Sequence, residues 1–132
     1  IALITTPNIK MTLTRNPWHI REYTSKQLRD LCKKYFSSVE VNGISGNEKV
    51  IKYYNQNLDS VQRFKKLDVF NLEKRLPNFI YKIPYEILNR MNRNNLKKND
   101  DKLVSSITYK DYELVKDNPT NLDLFLVLRK NK

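Results

Sequence analysis

His19 is the only histidine of the chain, and it lies among residues that could assist chemistry near neutral pH. An imidazole titrates in that range and can take up or release a proton during a reaction. Glu22 follows three residues later and would orient the ring and stabilise its charge, which makes these two residues the candidate general base and its partner. The alternative is that residues 16–23 form a rigid loop in which Trp18 packs and the histidine only hydrogen-bonds the backbone.

Cys32 is the single cysteine, so it cannot form an internal disulfide or contribute to a cysteine cluster on a metal. Leucines and aromatic residues recur around it at helical spacing, which places the thiol on the apolar stripe of a helix. These neighbours are Leu28, Leu31, Tyr35 and Phe36. We therefore expect a core cysteine rather than a nucleophile, and no metal site.

The 132 residues are enough for one domain, and they carry 25 lysines and arginines against 14 acidic residues, a net charge of +11. Such a charge attracts phosphate-bearing partners or anionic membrane surfaces, although the basic residues are scattered. No apolar run is long enough to span a membrane and no signal-peptide pattern is present, so the sequence predicts a cytoplasmic protein without a membrane span.

The first half of the chain predicts a strand, a helix and a second strand. Residues 1–6 are β-branched and apolar and end at a proline, as a buried strand running into a turn does. Thr24 and Gln27 have the spacing of a capping box, which predicts a helix over residues 25–36. Residues 38–44 alternate between polar and apolar side chains, which is typical of a half-exposed strand.

The second half predicts helices followed by one more strand. Apolar side chains recur at steps of three and four from Val50 onward, and Pro84 suits the first residue of a further helix. The recurring residues are Val50, Tyr54, Leu58, Val61 and Phe64. Residues 90–102 are polar and predict a solvated helix end and loop. Residues 122–128 are almost continuously apolar, which predicts a strand covered on both faces.

These segments resemble the C-terminal half of a class I S-adenosylmethionine-dependent methyltransferase. The resemblance rests on the stretches IALITTPN, NPWHIREYTSKQLRDLCKKYFSSVEVNGISGN and LDLFLVLRK. It is similar to the branch in which the fifth strand ends in Thr-Pro-Asn and a segment Asn-Pro-aromatic-His-x-x-Glu-aromatic-Thr leads into the next helix. The similarity extends over residues 1–47 and 122–130 and is weak between them.

The resemblance implies an α/β fold, namely the C-terminal part of a Rossmann-like sheet. The three strands would be strands 5, 6 and 7 of that sheet, and the antiparallel strand 7, residues 122–128, would lie between the other two. Residues 1–132 would form a single partial domain, in which residues 47–102 are a helical insertion and a candidate substrate lid.

The resemblance also implies the site. The end of the fifth strand and the segment after it would border a methyl acceptor, which we expect to be a small molecule. Thr6, Asn8, Trp18 and Tyr23 would bind this substrate, and His19 with Glu22 would supply a base where the acceptor needs one.

The chain departs from the family at the cofactor. Its only glycines are Gly43 and Gly46, so it has neither the glycine-rich loop nor the acidic residue that hold the cofactor in such folds. We expect S-adenosyl-L-methionine to be bound mainly by an N-terminal half of the same protein, and the fragment alone to be inactive. We also expect its first strand to leave an unpaired apolar edge that makes the isolated chain self-associate. The alternative is a small basic non-enzymatic module that binds nucleic acid or another acidic partner.

Overall fold

The computed structural model describes residues 1–67 and 75–130, which belong to two compact units. The first unit comprises Ile1–Thr12, Arg21–Asn47 and Tyr112–Lys132, and the second comprises Leu13–Ile20 and Glu48–Asp111. No helix in either described stretch has both the length and the apolar character needed to cross a bilayer.

The first unit is built on a four-stranded antiparallel sheet. Its strands are β1 (Ala2–Pro7), β2 (Ser38–Gly46), β3 (Tyr112–Lys116) and β4 (Asp123–Arg129), in the spatial order β1-β4-β2-β3. In β4, Leu128 lies opposite Ala2 of β1 and Val39 of β2, and both pairings are antiparallel. The prediction that the last strand lies between the first two and antiparallel to both is confirmed.

Strand β3 was not predicted, because its sequence is a weak strand signal. It is only five residues long, and charged side chains occupy two of its positions, Glu113 and Lys116. Its pairing with β2 is a long-range contact, in which Val115 lies opposite Gly43. Short, charged strands of this kind are typical of a sheet edge.

One helix of the first unit, α1 (Ser25–Cys32), begins at the predicted capping box. The backbone N–H of Gln27 donates to the Thr24 hydroxyl at 3.3 Å, and the backbone N–H of Thr24 donates to the Gln27 side-chain oxygen at 3.0 Å. The helix ends at Cys32, four residues before the predicted helix end at residue 36. The N–H groups of Tyr35 and Phe36 both donate to the Cys32 carbonyl at 3.0 Å, which closes the chain into a turn that leads to β2.

The core of the first unit lies between α1 and one face of the sheet. Leu124, Leu126 and Leu128 alternate along β4 and are completely buried. Leu28 and Cys32 of α1 pack in the same cluster. The prediction of a core cysteine is confirmed, and burial raises the pKa of its thiol, so the reactive thiolate is disfavoured.

The second unit is helical. Its elements are α2 (Glu48–Leu67), α3 (Asn78–Asn99), α4 (Asp101–Ser106) and a 3-10 helix (Tyr109–Asp111). The part of the predicted helical pattern between α2 and α3 falls on residues 68–74, which lie outside the described residues. The side chain of Phe64, which was part of the same pattern, also lies outside them. Val50, Tyr81, Leu96 and Leu103 are buried.

Two predictions for this unit were wrong. Pro84 does not begin a helix but lies inside α3, which starts six residues earlier. Residues 90–102 are not a helix end and loop, since α3 continues to Asn99 and α4 follows almost directly. In this polar run Asn92 and Leu96 lie one turn apart on the same face of α3, and both are buried. Their burial stabilises as helix a segment whose composition alone predicts a solvent-exposed loop.

The side chain of Asp100 links helices α2 and α4 of the second unit. Its carboxylate caps α4 by accepting from the Leu103 N–H at 3.1 Å, and it accepts from Lys52 of α2 at 3.3 Å and from Gln56 at 3.4 Å. The backbone hydrogen bond and the Lys52 ammonium lower the pKa of this carboxyl. Asp100 is therefore a structural residue that works in its charged form.

Candidate functional site

The predicted substrate residues of the first unit gather at one edge of the sheet. Because β4 is antiparallel to both β1 and β2, those two strands run parallel to each other and end at the same edge. There Pro7 and Ile44 lie on either side of Asp123, the first residue of β4. Thr6 and Asn8 lie at this edge.

Asn8 is buried and its side-chain amide binds the loop that precedes β4. The amide nitrogen donates to the Pro119 carbonyl at 3.2 Å and to the Asn121 carbonyl at 2.8 Å, and the amide oxygen accepts from the Lys10 N–H at 3.2 Å. The Asn8 N–H donates to the Leu122 carbonyl at 3.2 Å. These bonds tie the end of β1 to the start of β4, so the polar group contributes to the shape of the edge.

Gly43 and Asn121 fasten the other side of the same loop. Asn121 is buried and its amide donates to the Lys116 carbonyl at 2.9 Å. Its side chain lies directly against Gly43, where an added Cβ would meet the amide nitrogen at 1.6 Å. The space that this glycine leaves is therefore filled by Asn121 and is not a cradle for a ligand.

Glu22 and Tyr23 are held beside the end of β1 in the same unit. Tyr23 forms an isolated parallel bridge with Asn8, and its carbonyl accepts from the Ile9 N–H at 3.2 Å. The Glu22 carboxylate accepts from the Thr12 hydroxyl at 2.5 Å. This hydrogen bond links Glu22 to the segment that follows β1.

Asp123 is a titratable group of this edge that the sequence reasoning missed. Burial raises the pKa of its carboxyl, so the group keeps its proton to a higher pH than an exposed aspartate does. Carboxyls with raised pKa values can exchange protons with a bound molecule. The available signal was an acidic residue at the start of an otherwise apolar strand.

Trp18 and His19 lie in the second unit, on a turn organised by Asn16. The Asn16 side-chain oxygen accepts from the Trp18 N–H at 3.0 Å, and its amide nitrogen lies 3.2 Å from the His19 Nε2 atom. The Lys82 ammonium lies 3.8 Å from the centre of the Trp18 ring. Both side chains are exposed and accessible to a ligand.

The predicted site residues therefore belong to two groups, one in each unit, and each group is held by hydrogen bonds within its own unit. Thr6, Asn8, Glu22 and Tyr23 belong to the first unit, while Trp18 and His19 belong to the second. The assignment of His19 and Glu22 as a catalytic pair stays a prediction. Within residues 1–67 and 75–130, no three side chains among histidine, cysteine, aspartate and glutamate are grouped to hold a metal ion.

Comparisons of the chain with protein-family models, with curated proteins and with solved structures found no match.

Proposed function

We propose that this chain is the substrate-side half of an S-adenosylmethionine-dependent methyltransferase that acts on a small-molecule acceptor. The observation that carries the proposal is the strand order β1-β4-β2, in which an antiparallel strand lies between two parallel ones. The resemblance of the sequence implied this arrangement. The resemblance also implies that the Thr-Pro-Asn end of β1 borders the methyl acceptor.

Two features of the first unit support a further, cofactor-binding half of the protein: exposed apolar side chains on one face of the sheet, and the edge position of β1. The face of the sheet turned away from the buried leucines carries Leu3, Leu114, Phe125 and Val127, and Leu3 and Leu114 are 65% and 60% exposed. Among the described residues, β1 has β4 as its only strand partner. A cofactor-binding half would cover this face and extend the sheet at β1.

Gly43 does not provide a cofactor cradle. Asn121 fills the space beside Gly43, and the position lies within a strand rather than in a strand-to-helix loop. We therefore assign this chain to the acceptor. Its contribution would be to position the acceptor at the β1 edge and to receive a proton from it, with Glu22 and Asp123 as the titratable candidates at that edge. His19, on a turn of the second unit, is the third candidate for the base.

Cofactor binding tests the proposal. Calorimetry with S-adenosylmethionine is expected to show weak or no binding to the 132-residue chain and micromolar binding to the whole gene product. Failure of the whole gene product to bind S-adenosylmethionine would contradict the methyltransferase assignment. Micromolar binding to the isolated chain would instead contradict the proposal that the other half binds the cofactor and this chain binds the acceptor.

Three substitutions in the whole gene product then identify the base. Turnover is followed as release of S-adenosylhomocysteine with a panel of small phenols, catechols and carboxylic acids. If His19 is the base, His19→Ala lowers turnover by about a hundredfold while cofactor affinity is unchanged. His19→Asn with near-normal turnover between pH 6 and 9 would show that the ring only holds its loop, and a loss in Asp123→Asn alone would move the role to that carboxyl.

A further inference from the structure

Helix α3 of the second unit exposes a row of large apolar side chains. Phe79, Ile83, Ile87 and Met91 follow one another at steps of four and are 72%, 68%, 55% and 49% exposed. Residues at this spacing lie on one face of a helix. The buried Tyr81 and Leu96 lie on the opposite face. The apolar row is therefore available to a partner rather than to the core of its own unit.

Cations and a tryptophan accompany this row. Lys82, Arg90 and Arg93 lie on the same helix, and Lys97 and Lys98 extend the positive charge toward its end, against a single acidic residue in α3, Glu86. Trp18 is 57% exposed and carries the Lys82 ammonium over its ring. A surface groove of about 760 Å³ has Trp18, Ile87, Arg90, Met91 and Arg93 among its lining residues. Apolar, cationic and aromatic groups thus share one surface, which we call the α3 surface.

We propose that the α3 surface binds to the face of an anionic lipid bilayer, with α3 lying in the plane of the headgroups. Helices that bind in this way place apolar side chains toward the acyl chains and lysine or arginine near the phosphates. Tryptophan favours the boundary between the two. The proposal goes beyond the proposed function and does not depend on it.

Other occupants fit the α3 surface less well. Lysine is depleted at protein interfaces, whereas Lys82, Lys97 and Lys98 lie on the same helix as the apolar row. A second copy of the chain would bring together two surfaces of the same sign on molecules that each carry +11. Nucleic acid would match the cations and Trp18 but would leave Phe79 and Ile83 in contact with water.

Vesicle flotation tests the proposal directly. The chain is mixed with vesicles of phosphatidylcholine alone or with 30% phosphatidylglycerol and floated through sucrose, which separates vesicle-bound protein from any self-associated protein. We expect binding to the anionic vesicles, at least tenfold weaker binding to the neutral ones, and weaker binding in 0.5 M salt. Trp18 is the only tryptophan, so a blue shift of the intrinsic fluorescence on binding reports on this surface alone.

Matched double variants separate the apolar and cationic contributions. Ile83→Gln with Ile87→Gln is expected to weaken vesicle binding at least tenfold. The control Tyr35→Gln with Tyr109→Gln changes two side chains that are 67% and 82% exposed on other elements and is expected to bind as the parent does.

For charge, Arg90→Gln with Arg93→Gln should weaken binding about tenfold. Lys33→Gln with Lys34→Gln, which removes two exposed charges from the first unit, should cause less than a threefold loss. Far-UV circular dichroism checks that all variants stay folded.

Several results would overturn the proposal. These are no flotation with anionic vesicles, equal losses in the test and control variants, or no change in Trp18 fluorescence. A dimer that Ile83→Gln with Ile87→Gln converts to a monomer, without vesicle binding, would assign the surface to a second copy. Binding to a twenty-nucleotide oligothymidylate that survives this double variant, without vesicle binding, would assign the cations to nucleic acid.

Discussion

Strand β4 of the first unit and helix α3 of the second unit differ in how far they bury their apolar side chains. In the first unit, three leucines of β4 are completely buried between the sheet and α1. In the second unit, the longest helix leaves four large apolar side chains about half or more exposed along one face. The difference shows that hydrophobic content alone does not identify a core, since burial depends on an element being available to cover the apolar face.

The largest expected difference between the units comes from truncating one apolar side chain in each. Leu126→Ala removes a fully buried side chain and should cost about 3 kcal/mol or more of unfolding free energy, because it leaves a cavity. Ile83→Ala removes a side chain that is 68% exposed and should cost no more than about 0.5 kcal/mol. Urea titrations followed by circular dichroism measure both. Equal losses would break the comparison.

The packing of Asn121 on Gly43 tests how tightly the first unit is built. Gly43→Ala should cost about 2 kcal/mol, because the new methyl group overlaps a buried amide. In an Asn121→Gly background the same change should cost less than about 1 kcal/mol, since the obstructing side chain is gone. A double-mutant cycle from urea titrations gives the coupling, and additive losses would show that the two positions do not touch.

The capping box of α1 is expected to contribute less to the free energy of unfolding than the buried contacts do. It distinguishes α1 from α3, which has no side-chain cap. Thr24→Ala removes the hydroxyl that accepts from the Gln27 backbone N–H and should cost about 1 kcal/mol, while the bond from the Thr24 backbone N–H to the Gln27 side chain can remain. Thr24→Ser keeps the hydroxyl and should stay close to the parent. The N-cap residue of helix α3, Pro77, makes no side-chain capping hydrogen bond. Thermal unfolding distinguishes the variants, and an unchanged Tm in Thr24→Ala would contradict the structural role of the cap.

The smallest expected effects are opposite in sign and concern two aspartates. The pKa of Asp123 is raised by burial, so its charged form destabilises the fold at pH 7 and this cost disappears as the pH falls through the raised pKa toward 3.8. Asp123→Asn should therefore raise the Tm at pH 7 by about 1 to 3 °C and have no effect at pH 3.

Asp100 should show the reverse behaviour. Its pKa is lowered, so the charged form stabilises the fold above the ordinary value of 3.8, and that stabilisation is lost as the pH falls through the lowered pKa. Asp100→Asn should lower the Tm at pH 7, and the difference from the parent should shrink at pH 3. Shifts of the same sign in the two variants would contradict the assigned causes.

Local sequence signals predicted a large part of the first unit. The capping box at Thr24 located the start of α1, and the continuous apolar residues of β4 predicted a central strand, because such signals depend on neighbours along the chain. The same reasoning failed for β3 and for residues 90–102, whose structures depend on pairing with β2 and on buried contacts of Asn92 and Leu96.

The candidate site divides in the same way. Sequence alone identified the residue types that could serve chemistry, His19 and Glu22 among them, because ionisable groups are read directly from the chain. Only the tertiary structure showed that the amide of Asn8 is occupied with the loop before β4 and that Asp123 lies at the same edge with a raised pKa. These properties arise from burial and from contacts between residues more than 100 positions apart, and no local pattern encodes either.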